Sequence, residues 1–206
     1  MTVLSNTLTE LVPSVLSLTW FHAVLAFVIL QRLFEQVIAK RNAAFMRSIG
    51  GYEVGSEHYP YIVAVHMGFF LSLFAEVYAR GLQNALPSAA PLTVFLVVQF
   101  IRAWCLLSLG KFWNTRIIVL PGSEPVVHGP YRYMRHPNYM VVVLELLALP
   151  MAFGAVITAA VFSVLNIFVL RERIRVEEAV LCKETGYEEA MKTKWRLLGA
   201  RRRSDE

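Results

Sequence analysis

An all-α integral membrane fold with about five transmembrane helices is predicted by three features of this 206-residue chain. Hydrophobic residues make up 56 % of it and charged residues only 17 %, which is too apolar for an ordinary soluble domain. Several apolar stretches reach the roughly 20 residues that a helix needs to cross a bilayer. The Lys and Arg residues gather in alternate segments between those stretches, as expected of a multi-pass protein.

Three single spans are expected, at about Val12 to Leu33, Tyr61 to Ala79 and Leu92 to Leu109. The next apolar block, Tyr139 to Leu170, is punctuated by Pro150 and Gly154. Two legs of about 15 residues reach only ~23 Å each, less than the ~30 Å hydrocarbon core. The block therefore predicts a short helical hairpin with both ends on one side of the membrane. The stretch from Gln31 to Pro60 reads as a loop. No Lys or Arg occurs in the first 31 residues, so the positive n-region of a cleavable signal peptide is not expected.

Charge placement predicts the orientation. Of 20 Lys and Arg residues, four lie between Gln31 and His58, four between Lys111 and His136, and ten from Arg171 onward. By the positive-inside rule the amino terminus is outside and the carboxyl terminus cytoplasmic. The net charge of +5 then reflects basic segments facing anionic lipid and calls for no nucleic-acid partner. Arg201-Arg202-Arg203 reads as a lipid-surface anchor, and Trp195 as an interfacial one. Cys105 and Cys182 are expected to be separate thiols, too few for a metal set. The P-loop, GxGxxG, HExxH and GxSxG patterns are absent from the sequence, and no internal repeat is found.

Polar chemistry concentrates toward the carboxyl-terminal half. Between Lys111 and His136, β-branched runs alternate with Pro121-Gly122, Pro125 and Gly129-Pro130, which predicts short extended pieces joined by turns. Gly129 to Tyr139, GPYRYMRHPNY, then places phenols, guanidinium and imidazole directly against an apolar run, where polar groups cost free energy unless paired or bound to something. After the hairpin, Arg173 and Glu177 stand four apart and share a helix face. Gly186 is expected to end that helix and Tyr187 to Trp195 to begin another. Glu145 is an ionisable group inside an apolar helix, with Arg102 a candidate partner. Glu76 is another candidate for Arg102, so the pairing is open.

By spacing alone each of these features has a plainer reading. His136 before Pro137 is also what a helix start looks like, Arg173 with Glu177 is also a solvated ion pair, and Tyr131, Tyr133 and Tyr139 also suit an interfacial aromatic belt.

Jointly, however, the order is specific. Gly129, Tyr131, Arg135, His136, Pro137 and Tyr139, then a hairpin, then Arg173, Glu177, Glu178 and Leu181 with Gly186-Tyr187, resembles the isoprenylcysteine carboxyl methyltransferase family and its phospholipid-methyltransferase-like relatives. The resemblance covers about Lys111 to Trp195. It implies an S-adenosylmethionine-dependent methyltransferase embedded in the membrane, with a cytoplasmic cofactor pocket, a carboxyl-terminal helix and a lipid acceptor entering from the bilayer. On that resemblance Ser123, Glu124, Pro125, Val126, Tyr131, His136, Pro137, Asn138, Tyr139 and Glu177 contact the cofactor. Arg173 faces the acceptor, and Glu145 or Glu178 is the candidate base. Ser123 stands where the family often has His, and Asn114 and Arg116 fall at a less clear position.

The same resemblance divides a single membrane domain into an acceptor side, residues 1-110, and a cofactor side, residues 111-206. The segments RNAAFMRSIGGYEVGSEHYPY and FWNTRIIVLPG are similar to a bacterial branch acting on lipidic phenols and pyrones, which implies the bacterial inner membrane and O-methylation of a long-chain phenol or enol. Carboxyl methylation of a prenylated cysteine is the main competing activity, and phospholipid N-methylation the third. An NADPH-dependent membrane reductase and a non-catalytic scaffold are the alternatives of other classes.

Overall fold

The computed structural model describes residues 19–197. Among the described residues six α-helices follow one another: α1 (Thr19–Ser48), α2 (Tyr59–Ala79), α3 (Ala89–Leu109), α4 (Pro137–Ala152), α5 (Val156–Glu184) and the single turn α6 (Tyr187–Ala190). Two three-residue strands, β1 (Tyr52–Val54) and β2 (Ile117–Val119), qualify the expected all-α fold. They pair antiparallel with Tyr52 opposite Val119 and Val54 opposite Ile117.

Helices α1, α2 and α3 are each long and apolar enough to cross a membrane. Their outward faces carry large apolar side chains such as Phe100 and Leu107, which are 78 % and 81 % exposed. Water would penalise such a surface and hydrocarbon would not. The interior is a cluster that includes Phe21, Phe69, Leu73, Phe95, Leu146 and Phe153.

Three local expectations need correction. The expected start of the first span at Val12 lies outside the described residues, and the helix, described from Thr19, does not stop at Leu33 but runs to Ser48. Glu35, Ala39, Ala43 and Met46 recur at helical spacing and are buried, so a packed stripe sustains the helix through polar sequence. It ends where Gly50, at φ 97°, reverses the chain while Gly50 N and Gly51 N donate to Arg47 O and Met46 O. That is the paired carbonyl cap of a helix ending in a left-handed residue.

The second leg of the hairpin and the tail helix are also one continuous helix, α5, because nothing between Val156 and Glu184 is Gly or Pro. Finally, α6 is a single turn, and Trp195 lies beyond it in extended backbone bridged to Met134. Arg201 to Arg203 lie outside the described residues.

Pro150 and Gly154, at φ 72°, make the hairpin turn as expected. Ala155 cannot cap α5 with its side chain, and Glu76 of α2 does so instead, accepting from Ile157 N at 3.1 Å and Thr158 N at 2.7 Å. Arg80 ties the same corner by donating to Gly154 O at 2.6 Å.

Candidate active site

At the opposite end from the hairpin turn, the ends of α1, α3 and α5 meet the start of α4 and the β2 loop. Asn42 joins α1 to the end of α3 by donating to Gly110 O at 3.0 Å and Trp113 O at 2.7 Å. The β1–β2 ladder lies beside them, and Gly122 N donates to Glu184 O at 2.9 Å, fastening the Pro121 turn to α5. Gly129, at φ 59°, lies so close to α3 that a Cβ there would sit 2.0 Å from Ser108 Oγ. Only glycine lets the following 3-10 turn, Gly129–Arg132, seat Tyr131 inward.

These elements enclose a cleft. Ser123, Glu124, Pro125, Val126, Tyr131, His136, Asn138, Tyr139, Arg173 and Glu177 all line it, so nearly every residue expected at the cofactor does meet in one place. Pro137 does not line it: it is buried as the first residue of α4, where a missing N–H costs nothing. Tyr187, Leu181, Thr185 and Met191 complete the wall. The motif did contain Gly186-Tyr187, but nothing in its spacing marked Tyr187 as a wall residue. Burial pushes the phenols of Tyr131 and Tyr187 above the ordinary tyrosine range, so both stay neutral donors.

Within the cleft, Arg173 Nε donates to the Tyr139 hydroxyl at 2.7 Å, and that hydroxyl donates to Glu177 Oε2. Arg173 Nη2 also donates to Thr115 O at 2.9 Å. The His136 ring stacks on Tyr139, with centroids 5.1 Å apart and 13° between planes.

A second cavity, of about 330 Å³, opens among helices α1 to α5. Its walls are mostly apolar, with Val28, Ile62, Phe69, Phe95, Leu146 and Leu149 among them. Trp113, Asn114, Asn138, Tyr139 and Arg173 line both this cavity and the first. Trp113 Nε1, Asn114 Oδ1 and Asn138 Oδ1 are buried there without a hydrogen-bond partner, the mark of a place built to receive polar atoms from elsewhere.

The signature of the isoprenylcysteine carboxyl methyltransferase (ICMT) family matches residues 91–183, which is α3 through nearly all of α5. The Bacillus subtilis (strain 168) uncharacterized protein YpbQ is 45 % identical over 78 % of this chain and 96 % of its own length. The chain belongs to the isoprenylcysteine carboxyl methyltransferase family. Membership implies a membrane methyltransferase. An uncharacterized protein of Haemophilus influenzae (strain ATCC 51907 / DSM 11121 / KW20 / Rd) is 22 % identical over 73 % of this chain and 88 % of its own length. The ICMT match contains both halves of the cleft motif, whereas α1 and α2, which wall the apolar cavity, precede it.

Two residues expected near the chemistry of this ICMT-family chain are placed otherwise. Glu178 lines neither cavity: it lies 3.2 Å from His136 Nε2, 3.5 Å from Arg135 and 3.3 Å from Arg196. Burial weakens its acidity, but the hydrogen bond from His136 and the nearby cations outweigh that effect and hold the carboxyl below the usual range. Such a carboxylate is a poor base, and it holds the His136 ring from the side away from the cleft. With Nε2–H directed to Glu178, the imidazole can donate to a second partner only from Nδ1, and only when charged.

Glu145 does line the apolar cavity, but its oxygens are occupied. Oε1 accepts from Arg32 at 2.8 Å, Gln99 at 2.7 Å and Arg102 Nε at 2.9 Å, while Oε2 accepts from Arg102 Nη2. Glu35 completes the group by accepting from Arg32 at 2.6 Å and Arg102 at 3.2 Å. The open choice for Arg102 thus resolves to Glu145, together with a Glu35 that sequence reading missed inside an assumed loop. Arg116, also lining the cleft, pairs with Glu53 at 2.5 Å and lies over the Tyr59 ring.

Proposed function

We propose that this chain is an S-adenosylmethionine-dependent O-methyltransferase acting on a membrane-resident lipid, a long-chain phenol or enol. The observation that carries the reading is the shared wall of five residues between a polar cleft and an apolar cavity. A transfer enzyme needs a water-soluble donor and a lipid acceptor to meet in just this way.

The cleft residues fit the cofactor by their chemistry. Glu177 offers a carboxylate to a cationic centre, Tyr131 and Tyr187 offer aromatic faces, and the unpaired Trp113 and Asn138 atoms offer a donor and an acceptor. When bound, the cofactor supplies an electrophilic methyl group on a sulfonium. Arg173 reaches into both cavities, so its guanidinium can hold negative charge on an acceptor oxygen while Tyr139 keeps it oriented. The apolar walls exclude water from the same point. Catalysis rests on positioning and desolvation, and no covalent enzyme intermediate is required. In this reading Glu178 positions His136 and Glu145 holds α1, α3 and α4 together.

The reading also places the basic end of the bundle, the cleft and the carboxyl terminus in the cytoplasm, with α4 and α5 as a shallow fourth and fifth span. The competing activity, carboxyl methylation of a prenylated cysteine, draws support from the family's name and from Arg173, which suits a carboxylate equally well.

The deciding experiment has two stages on one detergent-purified sample. S-adenosylhomocysteine should raise the thermal midpoint and NADPH should not; the reverse result would make the protein a reductase. Radiolabelled methyl transfer is then measured on alkylresorcinol, alkylpyrone and prenylcysteine acceptors. Transfer to prenylcysteine alone would replace the proposed substrate class.

A further inference from the structure

A neutral hydroxyl acceptor must give up a proton as it is methylated, and the two carboxylates expected as its base are not free to take it. Glu178 lines neither cavity, and Glu145 is held by Arg32, Gln99 and Arg102. Glu35, the other carboxylate lining the apolar cavity, is paired with the same two arginines. His66 lines that cavity as well, but it stands seven residues, about 10 Å of helix, beyond Tyr59 at the inner end of α2.

Tyr139 stands between the chambers. It lines both of them, whereas Glu177 lines the cleft and not the apolar cavity. A hydroxyl has one proton and two lone pairs. The Tyr139 proton is directed to Glu177 Oε2, and one lone pair accepts from Arg173 Nε at 2.7 Å. The second lone pair meets no protein donor among the described residues, so it can accept the O–H of a ligand. An oxygen bonded there lies beside the Arg173 guanidinium, because Nε is already in hydrogen-bond contact with the same hydroxyl. The His136 ring, stacked on Tyr139, helps hold the phenol in this line.

We propose that Tyr139 is a proton relay, which carries the acceptor's proton out of the apolar cavity to Glu177 in the cleft. The inference rests on the reading that a lipid phenol or enol in that cavity is O-methylated. The acceptor oxygen bonds the methyl carbon as the carbon–sulfur bond breaks, with that electron pair staying on sulfur. In the same step its proton passes to the Tyr139 oxygen, and the Tyr139 proton passes to Glu177 Oε2. Tyr139 ends unchanged, and Glu177 releases the proton to solvent once the cleft empties. An oxygen that gains a methyl group becomes far more acidic than a phenol, so a carboxylate at the end of the relay is base enough. Arg173 meanwhile offsets negative charge on the acceptor oxygen.

The test sets Tyr139→Phe against the parent on a 5-alkylresorcinol and an alkylpyrone enol of equal chain length. The first is a phenol, ionising at about pH 10. The second is a vinylogous acid, already an anion at neutral pH, and needs no base. Single-turnover methyl transfer is followed at saturating S-adenosylmethionine, with S-adenosylhomocysteine binding reporting that the variant is folded. At neutral pH Tyr139→Phe should lose roughly a hundredfold or more on the alkylresorcinol, and its loss on the alkylpyrone should be at least about tenfold smaller. Its rate on the alkylresorcinol should then climb about tenfold per pH unit as the lipid ionises by itself, while the parent's stays level. Equal losses on both lipids, or parallel pH profiles, would make Tyr139 a positioning residue for Arg173 and overturn the relay. Should Tyr139→Phe fail to fold, the parent decides alone. Its transfer to the alkylresorcinol, and not to the alkylpyrone, should slow in deuterium oxide, and equal rates in the two solvents overturn the relay. Transfer by the parent to the alkylpyrone alone also overturns the relay and leaves the methyltransferase reading intact, whereas transfer to neither lipid overturns both.

Discussion

Arg173 Nε donates to the hydroxyl of Tyr139 at 2.7 Å, and this contact stands where the polar cleft and the apolar cavity share a wall. The hydroxyl passes its own proton toward Glu177, so guanidinium, phenol and carboxylate form a line between the two chambers. Because Arg173 and Glu177 are one turn apart on α5, Tyr139 bridges them from α4. The two opposite charges are thereby held in one fixed relation.

Arg173→Lys keeps the charge but loses the planar fork that reaches Tyr139 and Thr115 O together. Turnover on a lipid phenol should fall roughly ten- to a hundredfold, as expected for a lost charged hydrogen bond of ~1.5–3 kcal/mol. S-adenosylhomocysteine affinity, read by calorimetry on the same sample, should stay within a few-fold. Full activity would reduce Arg173 to a structural ion.

Glu177→Gln keeps the shape and removes the only carboxylate that the α5 face presents to the cleft between Arg173 and Leu181. Cofactor affinity should weaken by roughly ten- to a hundredfold on the same arithmetic. Unchanged binding by calorimetry would take Glu177 out of the cofactor site.

Glu145→Gln should act on stability first. It leaves Arg32 and Arg102 sharing Glu35 in a buried site, and breaking a buried pair typically costs about 3–5 kcal/mol. A lowered thermal midpoint in detergent, with S-adenosylhomocysteine affinity preserved below that midpoint, is the expected pair of readings. If Glu145 were the catalytic base, turnover would collapse at an unchanged midpoint.

Acid should loosen the hold on His136. The Glu178 carboxyl is held below its ordinary value in the folded chain, so its stabilising contribution is fully present above the unfolded value of about 4.3. That contribution is lost as pH falls through the lower folded value. The thermal midpoint of the parent should therefore drop on acidification below about pH 4 more steeply than that of Glu178→Gln. Parallel curves would show that Glu178 contributes nothing there.

A reporter active only in the cytoplasm, fused after Glu206, should give signal, since the basic segments alternate with the apolar ones. Signal from an external-side reporter instead would invert the proposed orientation.

Linear pattern was enough for the apolar spans, the hairpin turn at Pro150 and Gly154, and the gathering of Gly129 to Tyr139 with Arg173 and Glu177. These depend on hydrophobic run length, backbone-restricted residues and helical spacing, all of which are local. The path of α1 beyond Leu33 was not legible, because its buried stripe is sparse and includes Glu35, whose burial makes sense only beside Arg102. The roles of Glu76, Glu145 and Glu178 were equally hidden. A carboxylate in an apolar or amphipathic helix is costly wherever it occurs, and only packing decides whether a cation, a helix end or a ligand relieves that cost.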